Sequence, residues 1–276
     1  KRTPGWSIET GKTIVMGILN LTPDSFSDGG RYNELELAVE RAREMVAEGA
    51  DIIDIGAEST RPYGGSVKIS AEEELERLLP VLEKVLSISS VPVSVDTYKS
   101  KVAAAALERG AHIANDIWGL QQDTEMAAVV ASYNVPVIVM HNRMSTDSKR
   151  DIIAELLDFF RSSMEIGVKA GISRDNFILD PGIGFGKTGM QNLEVLARLA
   201  ELKTLGCPIL IGTSRKRFIG DILKLPVEER DEGTGATLVH AIMSGASILR
   251  VHNVRMAVRT ARMTDALQGW RRNDLG

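Results

Sequence analysis

Short apolar, β-branched runs alternate along the chain with longer amphipathic stretches, and no low-complexity segment interrupts them. Nearly continuous apolar runs are typical of strands buried on both faces of a parallel sheet. Eight such runs predict strands at residues 13–21, 51–57, 91–98, 112–119, 136–142, 177–182, 208–214 and 247–253. Between them, in residues 35–49 and 70–87 for example, apolar residues recur at every third and fourth position, which predicts helices.

The repeat of strand and helix predicts the fold. Gly49, Gly110 and Gly171 each follow a helical stretch, and glycine commonly terminates a helix because it adopts a left-handed backbone. Eight β–α units predict an α/β protein with one (β/α)8 TIM barrel domain spanning residues 1–276. An open, doubly wound sheet is the alternative, and the repeat count favours the barrel.

Composition narrows the classes of partner. Hydrophobic residues make up 43% of the chain and charged residues 25%, with no apolar run long enough to span a membrane, so we expect no membrane partner. A net charge of -4 argues against a protein that binds nucleic acid by neutralising phosphates. The single cysteine, Cys207, excludes an internal disulfide and indicates a reducing, cytoplasmic setting.

Polar residues lie where the predicted strands end, which is where barrel enzymes place their active sites. Each one alone has a structural explanation as a turn former or a helix cap. Together they would form a ring that is costly to desolvate unless a ligand binds there. The residues are Asn20, Glu58, Thr60, Arg61, Asp96, Asn115, His141, Asn142, Asp180, Ser214, Lys216, Arg250 and His252.

Two subsets of these residues indicate two kinds of ligand surface. Asp96, Asn115 and Asp180 combine carboxylate acceptors with an amide, which matches the edge of a flat aminopyrimidinone-type heterocycle. Lys216, Arg250 and His252 indicate an anion site for phosphate or pyrophosphate, with Arg215 and Arg217 nearby. The alternative for residues 214–217 (SRKR) is a solvated basic loop.

The sequence indicates a metal site less strongly than it indicates the two ligand surfaces. The four histidines show no zinc-binding spacing. Mg2+ needs only one protein oxygen when the oxygens of a bound pyrophosphate supply most of its ligands, and Asn20 is the candidate for that oxygen.

The run LDPGIGFGKT, residues 179–188, looks like the phosphate loop of a nucleotide-binding protein. That loop requires a glycine five positions before its second glycine. Pro181 occupies this position and has no N–H to offer a phosphate. A phosphate loop is therefore excluded.

Seven segments together resemble one family, in the same order along the chain. They are MGILNLTPDSFSDGG, IDIGAESTRP, SVDTYK, NDIWG, LDPGIGFGKT, GTSRKRFIG and LRVHNV. This series is similar to that of the bacterial dihydropteroate synthases. The resemblance implies a (β/α)8 barrel transferase that joins 6-hydroxymethyl-7,8-dihydropterin diphosphate to p-aminobenzoate, with release of pyrophosphate. It also implies Mg2+ as cofactor and a homodimer.

The resemblance assigns roles position by position. It implies that Asp96, Asn115, Asp180 and Lys216 contact the pterin. The diphosphate contacts would be Thr60, Arg250 and His252, and the Mg2+ ligand would be Asn20. The residues that shape the p-aminobenzoate site would be Phe26, Thr60, Arg61, Pro62 and Ser214. Asp96, Lys216, Arg250 and His252 are the expected catalytic residues, and Lys187 is not expected to bind phosphate.

The sequence departs from the family pattern in three places. Ala57 replaces a usual glycine, the stretch RPYGGS lengthens the second loop, and Asn253 replaces a usual aspartate. The longer loop bears on affinity for p-aminobenzoate and its sulfonamide mimics. Two other functions stay open: a pterin-binding barrel that transfers a methyl group from a folate to a corrinoid partner, and a non-catalytic pterin-binding protein.

Overall fold

The computed structural model describes residues 12–21, 30–58 and 68–273. The strands are β1 (Ile14–Asn20), β2 (Ile52–Gly56), β3 (Val93–Asp96), β4 (Ile113–Asp116), β5 (Val137–Met140), β6 (Phe177–Asp180), β7 (Leu210–Ile211) and β8 (Ile248–Val251). Each strand lies inside one predicted run. The runs are longer than the strands because flanking residues such as Leu21 and Ala57 are also buried.

The strands form one parallel sheet that closes on itself. Their order is β6-β5-β4-β3-β2-β1-β8-β7. A parallel bridge between Leu179 and Ile209 joins the two end strands, and the Leu179 N–H donates to the carbonyl oxygen of Pro208 at 2.9 Å. The predicted (β/α)8 barrel is therefore confirmed, and the open doubly wound sheet is excluded. That residues 1–276 form one domain stays a prediction.

Helices alternate with the strands. They are α1 (Gly30–Glu48), α2 (Ala71–Ile88), α3 (Ser100–Glu108), α4 (Met126–Tyr133), α5 (Ile152–Ala170), α6 (Gly189–Ala197), α7 (Arg217–Leu223), α8 (Asp231–Met243) and α9 (Val254–Asn273). Gly49, Gly110 and Gly171 follow α1, α3 and α5 with φ between 98° and 106°, which confirms them as helix stops. None of the helices in the described ranges is long and apolar enough to cross a membrane.

Helix α7 is the main departure from the predicted repeat. It begins at Arg217, directly after Lys216, and lies between β7 and α8. The interpretation of residues 214–217 as a solvated loop is therefore wrong in part. Ser214 is buried, and Arg217 belongs to a helix.

The inward-facing side chains are stacked in layers. The lower layer is an apolar plug of Ile14, Met16, Ile52, Ile113, Ile138, Ile178, Leu210 and Ile248. Side chains alternate between the two faces of a strand, so the residue two positions further along also faces inward. In β2, β4, β6 and β8 that residue is Asp54, Asn115, Asp180 and Arg250. A polar layer thus lies directly on the apolar plug.

Candidate active site

Four polar side chains, Asp54, Asp96, Asn115 and Arg250, form the floor cluster at the carboxyl end of the barrel. The Arg250 guanidinium joins the two carboxylates: Nε lies 2.7 Å from Asp54 Oδ2, and Nη2 lies 2.7 Å from Asp96 Oδ2. Asn115 Nδ2 donates to the same Asp54 oxygen at 3.2 Å. Asp54, Asp96 and Asn115 are buried, and the Arg250 side chain is 21% exposed. These contacts hold each side chain in one orientation.

In the floor cluster, two carboxylates share one guanidinium. Burial raises the pKa of Asp96 to about 7, the Arg250 guanidinium opposes this, and the Asp54 carboxylate adds to it. Burial would lower the pKa of Arg250, but Asp54 and Asp96 raise it above its ordinary value, so the guanidinium stays charged. Within the described residues, Asp54 Oδ1 and Asp96 Oδ1 are buried without a hydrogen-bond partner. Such acceptors are costly unless a donor reaches them.

The ends of β6 and β7 bring a third acid and a lysine to the same place. Asp180 Oδ1 accepts from the Gly182 N–H at 2.8 Å. Lys216 Nζ donates to the carbonyl oxygen of Ile183 and lies 4.7 Å from the centre of the Phe185 ring. Burial lowers the pKa of Lys216 to about 8, and the negative charge of Asp180 opposes this shift. Burial likewise raises the pKa of Asp180, and Lys216 opposes it.

Ser214 and His252 join β7 to β8 at the rim of the site. The Ser214 hydroxyl lies 2.8 Å from His252 Nδ1 and accepts from the His252 backbone N–H at 3.1 Å. Burial lowers the pKa of His252 to about 4, and Arg250 acts in the same direction. The ring is therefore neutral at pH 7. When Nδ1 accepts the serine proton, the ring proton is on Nε2 and is available to an anion.

Arg215 lies beside this pair in a left-handed conformation, with φ of 54°. Its N–H donates to Thr234 Oγ1 at 3.0 Å, and its carbonyl oxygen accepts from Arg230 Nη1 at 3.1 Å. Its guanidinium pairs with Asp231 at 2.8 and 3.0 Å, and Asn253 Nδ2 donates to Asp231 Oδ2 at 2.8 Å. Arg215 is thus held by protein groups on several sides. We call Ser214, Arg215, Asp231, His252 and Asn253 the rim cluster.

Two cavities open at this end of the barrel and share part of their walls. The inner cavity, about 60 Å³, is lined by Asp96, Asn115, Asp180, Lys216, Arg250 and His252, among others. The outer cavity, about 780 Å³, shares Ser214, Lys216, Arg250 and His252 and also includes Asn20. His141 and Asn142 line neither cavity, whereas the structure brings together the described residues that the sequence assigned to ligands. Their roles toward ligands stay predictions.

The structure changes the interpretation of Arg250, and four other predicted site residues lie outside the described ranges. The sequence grouped Arg250 with Lys216 and His252 in the anion subset; in the structure its guanidinium also pairs with Asp54 and Asp96, so the two subsets are joined rather than separate. The expectations for Phe26, Thr60, Arg61 and Pro62 lie outside the described residues.

Two features were missed by the sequence prediction. Asp54 is fully buried in the floor cluster, and its signal was a charged residue inside the apolar run IIDIG. Glu58 had no role assigned, yet it forms an ion pair with Lys99, whose Nζ also lies 2.6 Å from the buried Glu74. This pairing fixes the chain just after β2. It had no local sequence signal, because the three residues are far apart in the chain.

Two of the three family departures can be placed. Ala57 is buried in the core between strands and helices, and nothing in the structure gives it a role in the site. Asn253 donates to Asp231, and its Oδ1 accepts from the Met256 N–H at 3.0 Å near the start of α9. An aspartate at position 253 would place a second carboxylate against Asp231. The longer second loop, residues 61–66, lies outside the described residues.

The donor set fits a magnesium ion held mainly by a ligand. Among the described residues, no group of three His, Cys, Asp or Glu side chains is placed to hold a metal. Asn20 is exposed at the end of β1 and lines the outer cavity together with Lys216, Arg250 and His252. One amide oxygen beside a cationic wall suits Mg2+ bound chiefly through diphosphate oxygens and water.

Comparison with known proteins identifies relatives over most of the chain. The family model described as pterin binding enzyme matches residues 16–252. Dihydropteroate synthase of Bacillus subtilis is 52% identical, over 93% of this chain and 89% of that protein. Dihydropteroate synthase of Clostridium beijerinckii is 51% identical, over 93% of this chain and 94% of that protein.

Solved structures of similar proteins have the same fold. The dihydropteroate synthase of Clostridium difficile, solved in the presence of pteroic acid, has a TM-score of 0.90 and 49% identity, and the match covers 93% of this chain and 97% of that one. The enzyme of Xanthomonas albilineans with 4-aminobenzoic acid has a TM-score of 0.89 and 40% identity, with 95% and 94% covered.

Proposed function

The chain belongs to the dihydropteroate synthases, which are pterin-binding enzymes and transferases of folate biosynthesis, and we propose which of its residues bind each substrate. Its reaction joins 6-hydroxymethyl-7,8-dihydropterin diphosphate to p-aminobenzoate and gives 7,8-dihydropteroate and pyrophosphate. The observation that carries the assignment of residues is the floor cluster, because a carboxylate with a free oxygen, an amide and a second carboxylate surround one cavity.

The pterin ring binds on the floor cluster. Its amino group and ring N–H are donors, and Asp96 and Asp180 supply carboxylate acceptors from two strands. Asn115 is held by Asp54, so its amide presents one orientation to the ring edge. Lys216 reaches the same cavity from the end of β7 and offers a proton to a ring nitrogen or oxygen.

The diphosphate lies against the rim. His252 offers its Nε2 proton, Lys216 adds a positive charge, and Arg250 connects the two parts of the site because it lines both cavities. Thr60 belongs to this group by resemblance to the family. Asn20 would hold Mg2+, which when bound would neutralise charge on the diphosphate.

These residues act on the C–O bond between the pterin methylene and the diphosphate, which breaks with positive charge on the pterin and negative charge on the diphosphate. The C–O bond breaks and its electron pair leaves with the diphosphate, a C–N bond to the aryl amine forms, and the amine passes one proton to the diphosphate or to water. Asp96 and Asp180 stabilise positive charge on the pterin ring, while His252 and Arg250 stabilise the departing diphosphate. Fixed groups of this kind act without reorganising, and removing one typically costs ~100-fold in rate.

The p-aminobenzoate site is proposed from Ser214 together with Phe26, Thr60, Arg61 and Pro62. Ser214 is buried at the wall of both cavities, where its hydroxyl is fixed by His252. The other four are assigned through the family resemblance. The amine would bind after the diphosphate substrate, because the pterin lies deeper in the barrel.

We further propose a homodimer and a cytoplasmic location. Exposed apolar side chains lie on the neighbouring helices α8 and α9, including Met243, Met263 and Leu267. Gln268 contacts the Ile242 carbonyl oxygen and so brings the end of α9 beside Met243. A contiguous apolar patch is typical of an interface between subunits, and light scattering after gel filtration tests it. The cytoplasmic location rests on the single cysteine.

Pyrophosphate release tests the function. With Mg2+, 6-hydroxymethyl-7,8-dihydropterin diphosphate and p-aminobenzoate, pyrophosphate and dihydropteroate should form in equal amounts. A methyl-transferring barrel would release no pyrophosphate, and a non-catalytic protein would bind the pterin without turnover. Identity of 52% to a synthase over 93% of the chain favours the synthase over both.

A further inference from the structure

Lys187 ends the glycine-rich run after β6, yet its side chain is fully buried. Its Nζ donates to the carbonyl oxygens of Gly182 at 2.9 Å and Phe185 at 3.1 Å, and lies 2.8 Å from His141 Nδ1. These three acceptors match the three protons of an ammonium group. Burial lowers the pKa of Lys187 well below its ordinary value; the negative charge of Asp180 opposes this shift, and the three acceptors around Nζ favour the protonated form.

His141 connects this ammonium to β5 and α5. The Glu155 carboxylate only accepts, so the ring proton of His141 is on Nε2, which donates to Glu155 Oε1 at 3.2 Å, and Nδ1 is left as an acceptor for Lys187. Burial lowers the pKa of His141 to about 2, and Lys187 acts in the same direction, so the ring stays neutral. Glu155 also pairs with Arg143 at 2.8 Å, and Arg143 donates to the Gly186 carbonyl oxygen.

The backbone of the loop is shaped to surround the ammonium. Gly182, Gly184 and Gly186 have φ of 65°, 86° and 56°, a region that other residues rarely adopt. A Cβ at Gly182 would collide with the His141 carbonyl oxygen, and one at Gly186 would collide with Arg143. The alternating glycines let the loop direct two carbonyl oxygens toward Lys187. The loop is therefore held in one conformation by buried contacts.

The same loop fixes groups of the pterin site. The Gly182 N–H binds the Asp180 carboxylate, and the Ile183 carbonyl oxygen accepts from Lys216. The Phe185 ring contacts the Lys216 ammonium and lines both cavities. A shift of residues 182–185 would thus move partners of both Asp180 and Lys216.

We propose that Lys187 is a positioning residue for the pterin site. Its ammonium fixes the loop at residues 181–186, and the loop orients Asp180 and Lys216 toward the pterin ring. The inference rests on the proposed assignment of the pterin to the floor cluster. It also means that replacing Lys187 affects the reaction although the lysine contacts no substrate.

The test separates positioning from stability. Lys187→Met removes the ammonium and keeps the length of the side chain, but leaves carbonyl oxygens and His141 without their donor. Adding His141→Leu removes one of those orphaned acceptors and should recover part of the lost Tm. Affinity for 6-hydroxymethylpterin is then measured by calorimetry well below each Tm. We expect it to be ~10-fold weaker in both variants, since small misplacements of binding groups are costly.

Three controls make the result specific. Lys99→Met removes another largely buried ammonium, one that pairs with Glu58 and Glu74, and should lower Tm while leaving pterin affinity unchanged. His141→Asn keeps an acceptor near the Nδ1 position and should retain wild-type affinity. His141→Leu alone removes that acceptor and should weaken affinity several-fold. The pair of His141 variants carries the test should Lys187→Met not fold.

The outcomes distinguish this inference from the proposed function. A wild-type protein without measurable pterin affinity would overturn the proposed function and, with it, this inference. Wild-type affinity in a folded Lys187→Met protein would overturn the positioning role alone. Where that variant does not fold, equal affinity in the His141→Asn and His141→Leu proteins would overturn it.

Discussion

The floor cluster and the rim cluster contain similar residue types but differ in how completely their charged groups are paired. In the floor cluster, Arg250 serves two carboxylates at once, and within the described residues Asp96 keeps a buried oxygen without a partner. In the rim cluster, Arg215 pairs bidentately with Asp231, and the two side chains are 35% and 25% exposed. The floor therefore has acceptors that only a ligand completes, whereas the Arg215–Asp231 pair of the rim is complete without one.

The two regions also differ in the balance of acidic and basic groups. The floor cluster holds two acids against one base in a buried layer, which suits a neutral ring rich in N–H donors. The rim, with Lys216 and His252 near Arg215, suits an anion. Because buried unpaired charges cost far more than exposed ones, substitutions in the floor should have larger effects than matched substitutions in the rim.

The largest effect is expected for Arg250→Met. The variant leaves the carboxylates of Asp54 and Asp96 without their cation, and breaking a buried pair in this way typically costs about 3–5 kcal/mol. Arg215→Met is the matched change in the rim, where the pair is partly exposed and about 1 kcal/mol is expected. Urea denaturation measures both. Equal losses of stability would show that the two regions do not differ as described.

The next effect concerns ligand affinity. Asp96→Asn replaces a carboxylate acceptor with an amide that carries donors toward the donors of the ring, so pterin affinity should fall ~100-fold. Asp231→Asn makes the same chemical change in the rim and should leave affinity for 6-hydroxymethylpterin unchanged. Calorimetry compares the two proteins with the wild type. An Asp96→Asn protein with wild-type affinity would exclude Asp96 from the pterin site.

Binding should also depend on pH. The charged Asp96 carboxylate accepts from ring donors with both oxygens, whereas its protonated form carries a donor of its own and binds them more weakly. Because its pKa is about 7, affinity should fall as pH drops below 7, by up to ~10-fold per unit. Lys216 is a charge-assisted donor only when protonated, and its pKa is about 8, so affinity should fall again above 8. The rim residue His252, with a pKa of about 4, adds nothing in this range. A flat profile between pH 5 and 9, in place of a maximum, would contradict this.

The smallest effect is expected for Asn253→Asp in the rim. The new carboxylate would face Asp231 across the present hydrogen bond of 2.8 Å, but both positions are partly exposed. The cost should be about 1 kcal/mol or less, with little change in turnover. Asn253→Ser keeps an oxygen for the Met256 N–H and adds no charge. A drop in Tm for the aspartate variant that exceeds that of the serine variant supports the account.

The sequence predicted the barrel and the polar layer because both depend on local patterns. The alternation along β8 and just beyond it places Arg250 and His252 on one face. The charged residue in IIDIG is a local signal for Asp54 too, but the prediction did not use it. What the sequence missed depends on contacts across the barrel. The pairing of Arg250 with Asp54 joins residues 196 positions apart. The burial of Lys187 depends on His141 from another strand, so a glycine-rich loop gave no sign that it encloses its own lysine.

The division of the site into floor and rim can be measured directly with the two halves of the substrate. Calorimetry with 6-hydroxymethylpterin and with pyrophosphate plus Mg2+ is carried out on the wild type, Asp96→Asn and His252→Gln. We expect Asp96→Asn to lose affinity for the pterin and keep its affinity for pyrophosphate, and His252→Gln to show the opposite pattern. Parallel losses of both ligands in both variants would contradict this expectation.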